Sequence, residues 1–499
     1  MRVVLISPYP DITAFGLRTI SAHLRRHGHR TRLVFAPDPL GDDLLYGVKR
    51  YEDHVFDELA DLCRDADLVG ITLMTNFFDG AVQITQRLKA AGVKAPVVWG
   101  GVHPTIRPEE SLEHADIVCV GDGEDALLEL ADRMAAGEEY TATANLWFRT
   151  PGGIVRNPVR PLARDLDSYP IPDYSMEDHH ILVDGHLVPL DGPLLRRFLE
   201  NGTVSRHLGK IGYQTMTGRG CPHKCTYCIN DAIKTIYGAQ NYLRWRSTDH
   251  VMRELLWVRE HLPYVGFVWI SDDAFFARSP AAIEEFCRAY KERIGLPFTC
   301  LASPLTVTEE KMALLVDAGL IYLQMGIQSG SAKIQELFNR KAMSNERVLQ
   351  AIRVINRYKE RMYPPSYDFI LDVPYETDQD VVESLRLIAE IPKPFRLQPF
   401  ALVLYPGTKL HEQATKDGLL ADERRQIYAK SYTMRQANYL NLLMTLAKGG
   451  GFPGPLLRLL VNPPLVTVFN SRPLKPFFRL LYAALKAAKK LLRPARRPA

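Results

Sequence analysis

The sequence predicts an α/β protein with two parallel-sheet domains in series and a helical C-terminal tail, and three features carry that prediction. Strand-like apolar runs alternate with helix-patterned segments over residues 1–138, the signature of a doubly wound, Rossmann-like sheet. The alternation returns for about six rounds between Tyr213 and Leu404. After Pro406-Gly407-Thr408 it stops and helical patterns take over. With 499 residues, 46% hydrophobic and 24% charged, the chain has ordinary globular composition and enough length for several domains with sizeable cores.

In the first domain, residues 2–7 (RVVLIS) are of strand type, and 16–27 has helical spacing that Gly28 stops. Residues 67–72 (DLVGIT) lead to a helical pattern over 78–91, residues 96–99 to a Gly-Gly turn, and 116–120 to a helical pattern over 124–136. A doubly wound sheet binds ligands across its C-terminal strand ends. Glycine lets a ligand approach the backbone closely, and the loops at those ends carry it: 11–16, Gly100-Gly101, and Gly121-Asp122-Gly123. No GxGxxG follows the first strand, so a dinucleotide site lacks its fingerprint.

Residues 139–210 read as a hairpin and a linker. Segments 145–148 and 154–155 flank Pro151-Gly152-Gly153, and 158–174 is rich in Pro and Asp. His179, His180 and His186 follow without acidic or thiol neighbours at metal-ligand spacing, so they read as part of a solvated connector.

The second domain, 211–408, offers strands at 213–217, 267–271, 298–302, 322–327, 367–372 and 396–404. Gly319 stops the helix-like 309–318, and Thr377 with Asp380 makes a capping box ahead of 381–391. Polar residues end several strands: Asp272 and Asp273, Ser303, and Gln328-Ser329-Gly330. As structural groups, the two aspartates read as a helix cap and a surface carboxylate.

Between the first strand and its helix, residues 218–230 read G-R-G-C-P-H-K-C-T-Y-C-I-N and place Cys221, Cys225 and Cys228 as CxxxCxxC. Three thiolates this close make a metal site. Zinc would take a fourth ligand, for which His223 is available, but the spacing is not that of a zinc finger. An iron–sulfur cluster can rest on three thiolates with one iron left open. Cys63, Cys119, Cys287 and Cys300 lie in apolar contexts at scattered spacing and read as core thiols. Without a secretory cysteine framework, and with Met1 leading almost directly into a strand, a reducing cytoplasm is the expected compartment.

These residues resemble the radical SAM enzymes, whose signature is CxxxCxΦC with an aromatic before the last cysteine, here Tyr227. The resemblance implies an open, partial (β/α)6 barrel. It implies a 4Fe-4S cluster on the three cysteines and S-adenosylmethionine chelated to the fourth iron. Cleavage to a 5′-deoxyadenosyl radical would need an external electron donor such as flavodoxin or ferredoxin. For S-adenosylmethionine the resemblance points to Tyr227 beside the adenine and to Asp272, Asp273, Gln328 and Ser329 at the strand ends. The run G-I-Q-S-G-S over 326–331 matches a frequent G-I-E-S-G-S. Ser303-Pro304 stands where an arginine is frequent, and D-F-I-L-D-V-P where G-x-I-x-G is, so no ligand role carries over to Ser303, Asp368 or Asp372.

The first domain looks like the cobalamin-binding domain of cobalamin-dependent radical SAM proteins, with G-G-V-H-P at 100–104 and G-D-G-E at 121–124. Its first loop, D-I-T-A-F-G, follows the DxHxxG pattern with Thr13 in place of the axial histidine. The similarity implies base-off cobalamin near Asp11, Thr13, Gly16, Thr72, Gly100, Gly101, Gly121 and Gly123, with no histidine on cobalt. Taken together, the resemblances imply a methyltransferase acting on an unactivated carbon of a lipid or other small-molecule natural product. A ring-forming or rearranging cyclase is the alternative with the same cofactors, and a non-catalytic cobalamin or iron–sulfur sensor is the alternative outside catalysis. Methylthiotransferases use three further N-terminal cysteines, whereas only Cys63 and Cys119 precede the motif; nothing points to nucleic acid.

The last two segments are a helical, Pro- and Gly-rich extension at 409–473 and a basic tail at 474–499. From Ser471 onward there are nine basic residues and no acidic one, so the net charge of +5 conceals a mildly acidic body. Over 474–493 a helical wheel gathers Leu474, Phe477, Phe478, Leu480, Leu481, Ala484, Leu485, Ala488, Leu491 and Leu492 on one half, with Lys475, Arg479, Lys486, Lys489, Lys490 and Arg493 opposite. Arg458, Asn462 and several prolines interrupt 456–469, which excludes a spanning helix there. The tail is expected to make peripheral contact with an anionic membrane surface, the inner face in a cytoplasmic protein.

Overall fold

A computed structural model describes the chain apart from residues 10–11, 38–50, 239–241, 431–434 and 492–499, and apart from the side chains of 485–491. It divides into two compact units. The first holds residues 1–273, 292–296 and 404–430; the second holds 274–291, 297–403 and 431–499.

The first unit is built on a nine-stranded sheet. In chain order its strands are β1 (Arg2–Ser7), β2 (Arg30–Phe35), β3 (Leu68–Thr72), β4 (Val97–Gly100), β5 (Ile117–Cys119), β6 (Leu146–Thr150), β7 (Gly153–Arg156), β8 (His180–Val183) and β9 (His186–Pro189). Across the sheet the order is β7-β6-β5-β4-β3-β1-β2-β8-β9. The central β1 pairs in parallel with β2 and β3, and Val3, Val4, Leu5 and Ile6 are at most 2% exposed. Residues this apolar suit a strand covered on both faces, which is what parallel crossovers produce. The helices are α1 (Phe15–Arg26), α2 (Asp53–Cys63), α3 (Phe78–Ala90), α4 (Val102–Ile106), α5 (Pro108–Leu112) and α6 (Glu124–Ala136).

Both sheet edges are hairpins. The expected hairpin forms as β6–β7 and pairs antiparallel onto β5. At the other edge β8 pairs with β2, and β9 closes the sheet. The histidines of this stretch are therefore not a solvated connector: His179 is buried 3.2 Å from Asp173, His180 opens β8, and His186 opens β9. No apolar run announces β2, because Arg30 and Arg32 alternate with the buried Thr31 and Leu33.

Further along, β10 (Gly212–Thr215) and β13 (Phe267–Ile270) pair in parallel, and the short strands β11 (Gly218–Arg219) and β12 (Arg244–Trp245) pair antiparallel. In the second unit β14 (Phe298–Ala302), β15 (Leu320–Gln328), β16 (Ser366–Leu371) and β17 (Arg396–Ala401) run side by side in parallel. One face of this sheet is fully buried, with Leu323, Met325, Ile327, Tyr367, Phe369 and Leu371. The alternate residues Gln324, Gln328, Asp368 and Gln398 are only half-buried, giving the sheet one polar face. Thr377 and Asp380 form the expected capping box at the start of helix Asp378–Ile388.

Helices Tyr439–Ala447, Gly454–Leu460, Pro463–Phe469 and Lys475–Leu491 complete the second unit. Phe469 and Phe478 both set their rings on Tyr439, 5.3 and 5.7 Å between centroids. Among the described residues no helix is long and apolar enough to cross a membrane.

Candidate functional site

Cys221, Cys225 and Cys228 lie in the loop between β11 and helix Ile229–Ile236, and none is in a disulfide. Cys225 is buried and the other two are half-buried. Burial raises the Cys221 thiol, against an opposing backbone N–H from His223; burial likewise pushes Cys228 up to about 11, against the Asn230 N–H. The three sulfurs sit within electrostatic reach of one another, with backbone donors aimed at two of them. Such a trio suits a cationic partner that would deprotonate the thiols, and the N–H groups suit the negative sulfurs of a cluster. Tyr227 is half-buried in the same loop.

Several groups that hold this loop escape sequence patterns. Asn230 places Nδ2 3.9 Å from Cys228 Sγ, accepts the Tyr242 hydroxyl at 2.7 Å, and bonds Asp273. Lys234 Nζ donates to the His223 carbonyl at 2.8 Å, and the Leu410 N–H donates to the Thr226 carbonyl at 2.9 Å. The only signal for Asn230 was its adjacency to the motif. The four core thiols Cys63, Cys119, Cys287 and Cys300 are at most 5% exposed, as expected.

At the end of β13 the two aspartates part company. Asp272 is 1% exposed, and its carboxylate accepts both the N–H and the hydroxyl of Thr217, each at 2.5 Å. It is not a surface carboxylate: its two oxygens hold Thr217, in the turn that leads from β10 to β11 and the cysteine loop. Asp273 is open to solvent beside Asn230, and its charge reaches both Cys221 and Cys228. In the second unit Ser329 is likewise committed inward: its hydroxyl accepts the Ser331 N–H at 3.1 Å and lies 3.3 Å from Ser384 Oγ. Gln328 holds a left-handed φ of 74°, uncommon for a residue with a Cβ. On the same polar face, Gln324 Nε2 lies 3.0 and 2.9 Å from the two Asp368 oxygens, and burial pushes that carboxyl up to about 7.

Around the glycine loops, Gly101 has a φ of 100°, and a Cβ there would stand 2.8 Å from the Leu73 carbonyl. Gly16 is open, with no atom within 4 Å of such a Cβ, and Gly100 meets only Cys119. Thr72 Oγ1 bonds Tyr9. Gly101 is thus closed in by its own chain, and Gly16 and Gly100 are the positions at these strand ends that leave room for a ligand to approach the backbone. Gly121 differs from expectation: its open side is filled by the Tyr237 hydroxyl, which accepts the Asp122 N–H at 2.7 Å. Gly123 is closed in by Ile20. Thr13 is buried and donates to Gln214 Oε1 at 3.1 Å, while Asp11 lies outside the described residues. The G-D-G-E loop instead binds the β11–β12 ribbon beside the cysteine loop: Asp122 pairs with Arg219 at 3.3 Å and Arg244 at 3.1 Å, and the buried Glu124 pairs with Arg219.

Two family models match the chain, the B12 binding domain over residues 1–131 and the radical SAM superfamily over 215–388. The chain belongs to the cobalamin-binding radical SAM family. This radical SAM enzyme is 27% identical over 377 residues to an uncharacterized methyltransferase of Pyrococcus horikoshii, 74% of each chain. It is 21% identical over 389 residues to the bacteriochlorophyllide d C-8(2)-methyltransferase of Chlorobaculum tepidum, covering 76% and 75%. In fold it is similar to the radical S-adenosylmethionine methyltransferase TsrM of Kitasatospora setae, with a TM-score of 0.64 and 18% identity over 83% of this chain and 76% of that one. The cofactors of the enzyme are a 4Fe-4S cluster, S-adenosylmethionine and cobalamin.

Proposed function

We propose that the enzyme transfers a methyl group to a carbon atom of an apolar small molecule, and that it meets this substrate at a membrane surface. The methyl-transfer half rests on the family and on the methyltransferases among its relatives. The membrane half rests on one observation. Leu459, Val468, Phe477 and Leu480 are 55, 56, 56 and 72% exposed on three successive C-terminal helices, with Arg458, Arg472, Lys475 and Arg479 exposed among them. Large apolar side chains left in water beside uncompensated cations suit an anionic lipid interface.

In this reading Cys221, Cys225 and Cys228 carry the cluster, Tyr227 and Asp273 meet S-adenosylmethionine, and Gly16, Thr72 and Gly100 face cobalamin. When bound, the cluster supplies the electron that cleaves S-adenosylmethionine, and cobalamin carries the methyl group. Asn230 orients the Cys228 side of the loop, and Asp273 offers a carboxylate to a ligand amine. The Gln324–Asp368 pair gives the polar face of β15–β16 donors and acceptors for the polar end of a substrate. Reducing equivalents come from an external one-electron donor of the flavodoxin or ferredoxin type.

The test is anaerobic turnover of the loaded, reduced enzyme on lipid extracts with S-adenosylmethionine deuterated in its methyl group. The expected product carries the labelled methyl. A product that loses hydrogen or changes in oxygen without the label would replace this reading with the cyclase, and the absence of any converted molecule would favour a sensor.

A further inference from the structure

We infer that His54, Glu58 and His186 form a second metal site, for a divalent transition cation such as zinc, that ties the outer edge of the nine-stranded sheet to α2. One ligand atom from each of the three lies within 4.8 Å of the other two. Their elements bring them together from distant parts of the sequence. On α2, His54 and Glu58 are four residues apart and so share one face. The β8–β9 hairpin turns through Asp184 and Gly185, whose φ values of 49° and 88° are both left-handed, as a tight two-residue turn requires. That turn delivers His186 to the start of β9, against α2.

The hydrogen bonds around the trio hold its side chains in place, and the one between Glu58 and His186 is the bond that an ion would replace. His54 Nε2 is 2.7 Å from the Gly185 carbonyl, which can only accept, so this nitrogen carries the proton and the other ring nitrogen keeps its lone pair. A histidine that ligates a metal is commonly fixed in this way by a carbonyl behind it. Glu58 binds the Leu187 N–H through Oε2 at 2.7 Å, and its Oε1 lies 2.7 Å from His186 Nδ1. The two imidazole rings stand 4.8 Å apart.

The donor set decides the class of ion. Two imidazole nitrogens and one carboxylate oxygen suit zinc, nickel or copper, whereas calcium and magnesium ask for oxygen alone. Three protein ligands leave one position of a tetrahedral ion to water, in keeping with the exposure of both histidines. The benefit falls on the fold. β9 is a four-residue edge strand bonded to β8 alone, and an ion held jointly with α2 would anchor it.

The experiment uses the full-length, cluster-loaded enzyme, freed of loosely bound metal and equilibrated with buffered zinc. Zinc and iron per chain are measured together in wild type, Glu58→Gln and His186→Ala. Wild type should hold one zinc more than either variant at equal iron, with affinity weakened at least about tenfold by each substitution. Zinc should also raise the melting temperature of wild type and leave that of His186→Ala unchanged, because only a ligand that binds the folded state stabilises it. Glu58→Gln keeps the side-chain size and an acceptor for Leu187, so a loss of zinc there cannot be a loss of folding. Equal zinc in all three proteins, or an equal zinc-induced shift in melting temperature, would overturn the site.

Discussion

Asp368 shows how a single side chain can report on the polar face of the β14–β17 sheet. Its carboxyl is raised to about 7 by burial, with the Gln324 amide and Arg340 pulling the other way. A folded-state value above the ordinary one favours the protonated form, so this group's stabilising contribution is complete below about pH 4 and is lost as pH rises through 7. Glu376, raised to about 8 by burial, has the same sign. Asp368→Asn should therefore lose less stability than wild type between pH 5 and pH 8, measured as the urea midpoint at each pH. Parallel losses would contradict the burial of that carboxyl. Beside the cysteines, Asp273→Asn should weaken S-adenosylmethionine binding while leaving iron content unchanged, whereas Asp272→Ala should lower iron content and stability together. At this scale the sequence was legible wherever partners are neighbours in the chain. The three cysteines fall within eight consecutive residues, and their spacing alone announces a metal site. The burial of Asp272 and the packing of the G-D-G-E loop were not legible, because Thr217 and Tyr237, to which they bond, lie 55 and 115 positions away.

Among the elements, β11 matters beyond its two residues. Arg219 carries it onto the loop that precedes α6, pairing with Asp122 and with the buried Glu124. Glu124→Gln removes one of the two carboxylates that pair with Arg219 and leaves Asp122, so it should cost about 2 kcal/mol in equilibrium unfolding, the worth of one hydrogen bond to a charged group. A loss near zero would mean that Arg219 finds water instead. The terminal helix makes a second forecast. Phe478 turns inward onto Tyr439 while Phe477 and Leu480 stay in solvent, so the apolar stripe of the sequence is split between docking and exposure. Leu492 and Arg493, which the wheel also assigned, lie outside the described residues. Near an anionic leaflet each cation contributes about 1 kcal/mol, so full-length protein should float with anionic vesicles at low salt, and protein truncated after Pro473 should float less. Equal flotation would make the tail purely structural. The crossover helices and central strands were legible from apolar periodicity, since both need it over several consecutive residues. The β8–β9 edge and the strand beside it were not: β2 alternates with arginine, and β8 and β9 are four-residue strands whose pairing depends on the sheet already being there.

For the molecule as a whole, two ligand-binding folds follow one another in a single chain, and the cysteine loop belongs to the same compact unit as the doubly wound sheet. Arg219 and Arg244 on the β11–β12 ribbon, and Tyr237 at the end of the helix that follows the loop, connect its flanks to the loop after β5, so the cluster motif is braced by the first domain. The order of the two folds was readable because each has its own local signature: glycine at the strand ends for one, CxxxCxxC after a strand for the other. The bracing was not, because it depends on ion pairs that no sequence window contains. The most direct measurement is the yield of 5′-deoxyadenosine from S-adenosylmethionine, quantified by mass spectrometry for the reconstituted and reduced full-length protein beside its Cys221→Ala, Cys225→Ala, Cys228→Ala triple variant. Wild type should release 5′-deoxyadenosine and the triple variant should fall to background; equal yields, or no product from wild type with its cluster in place, would contradict the account.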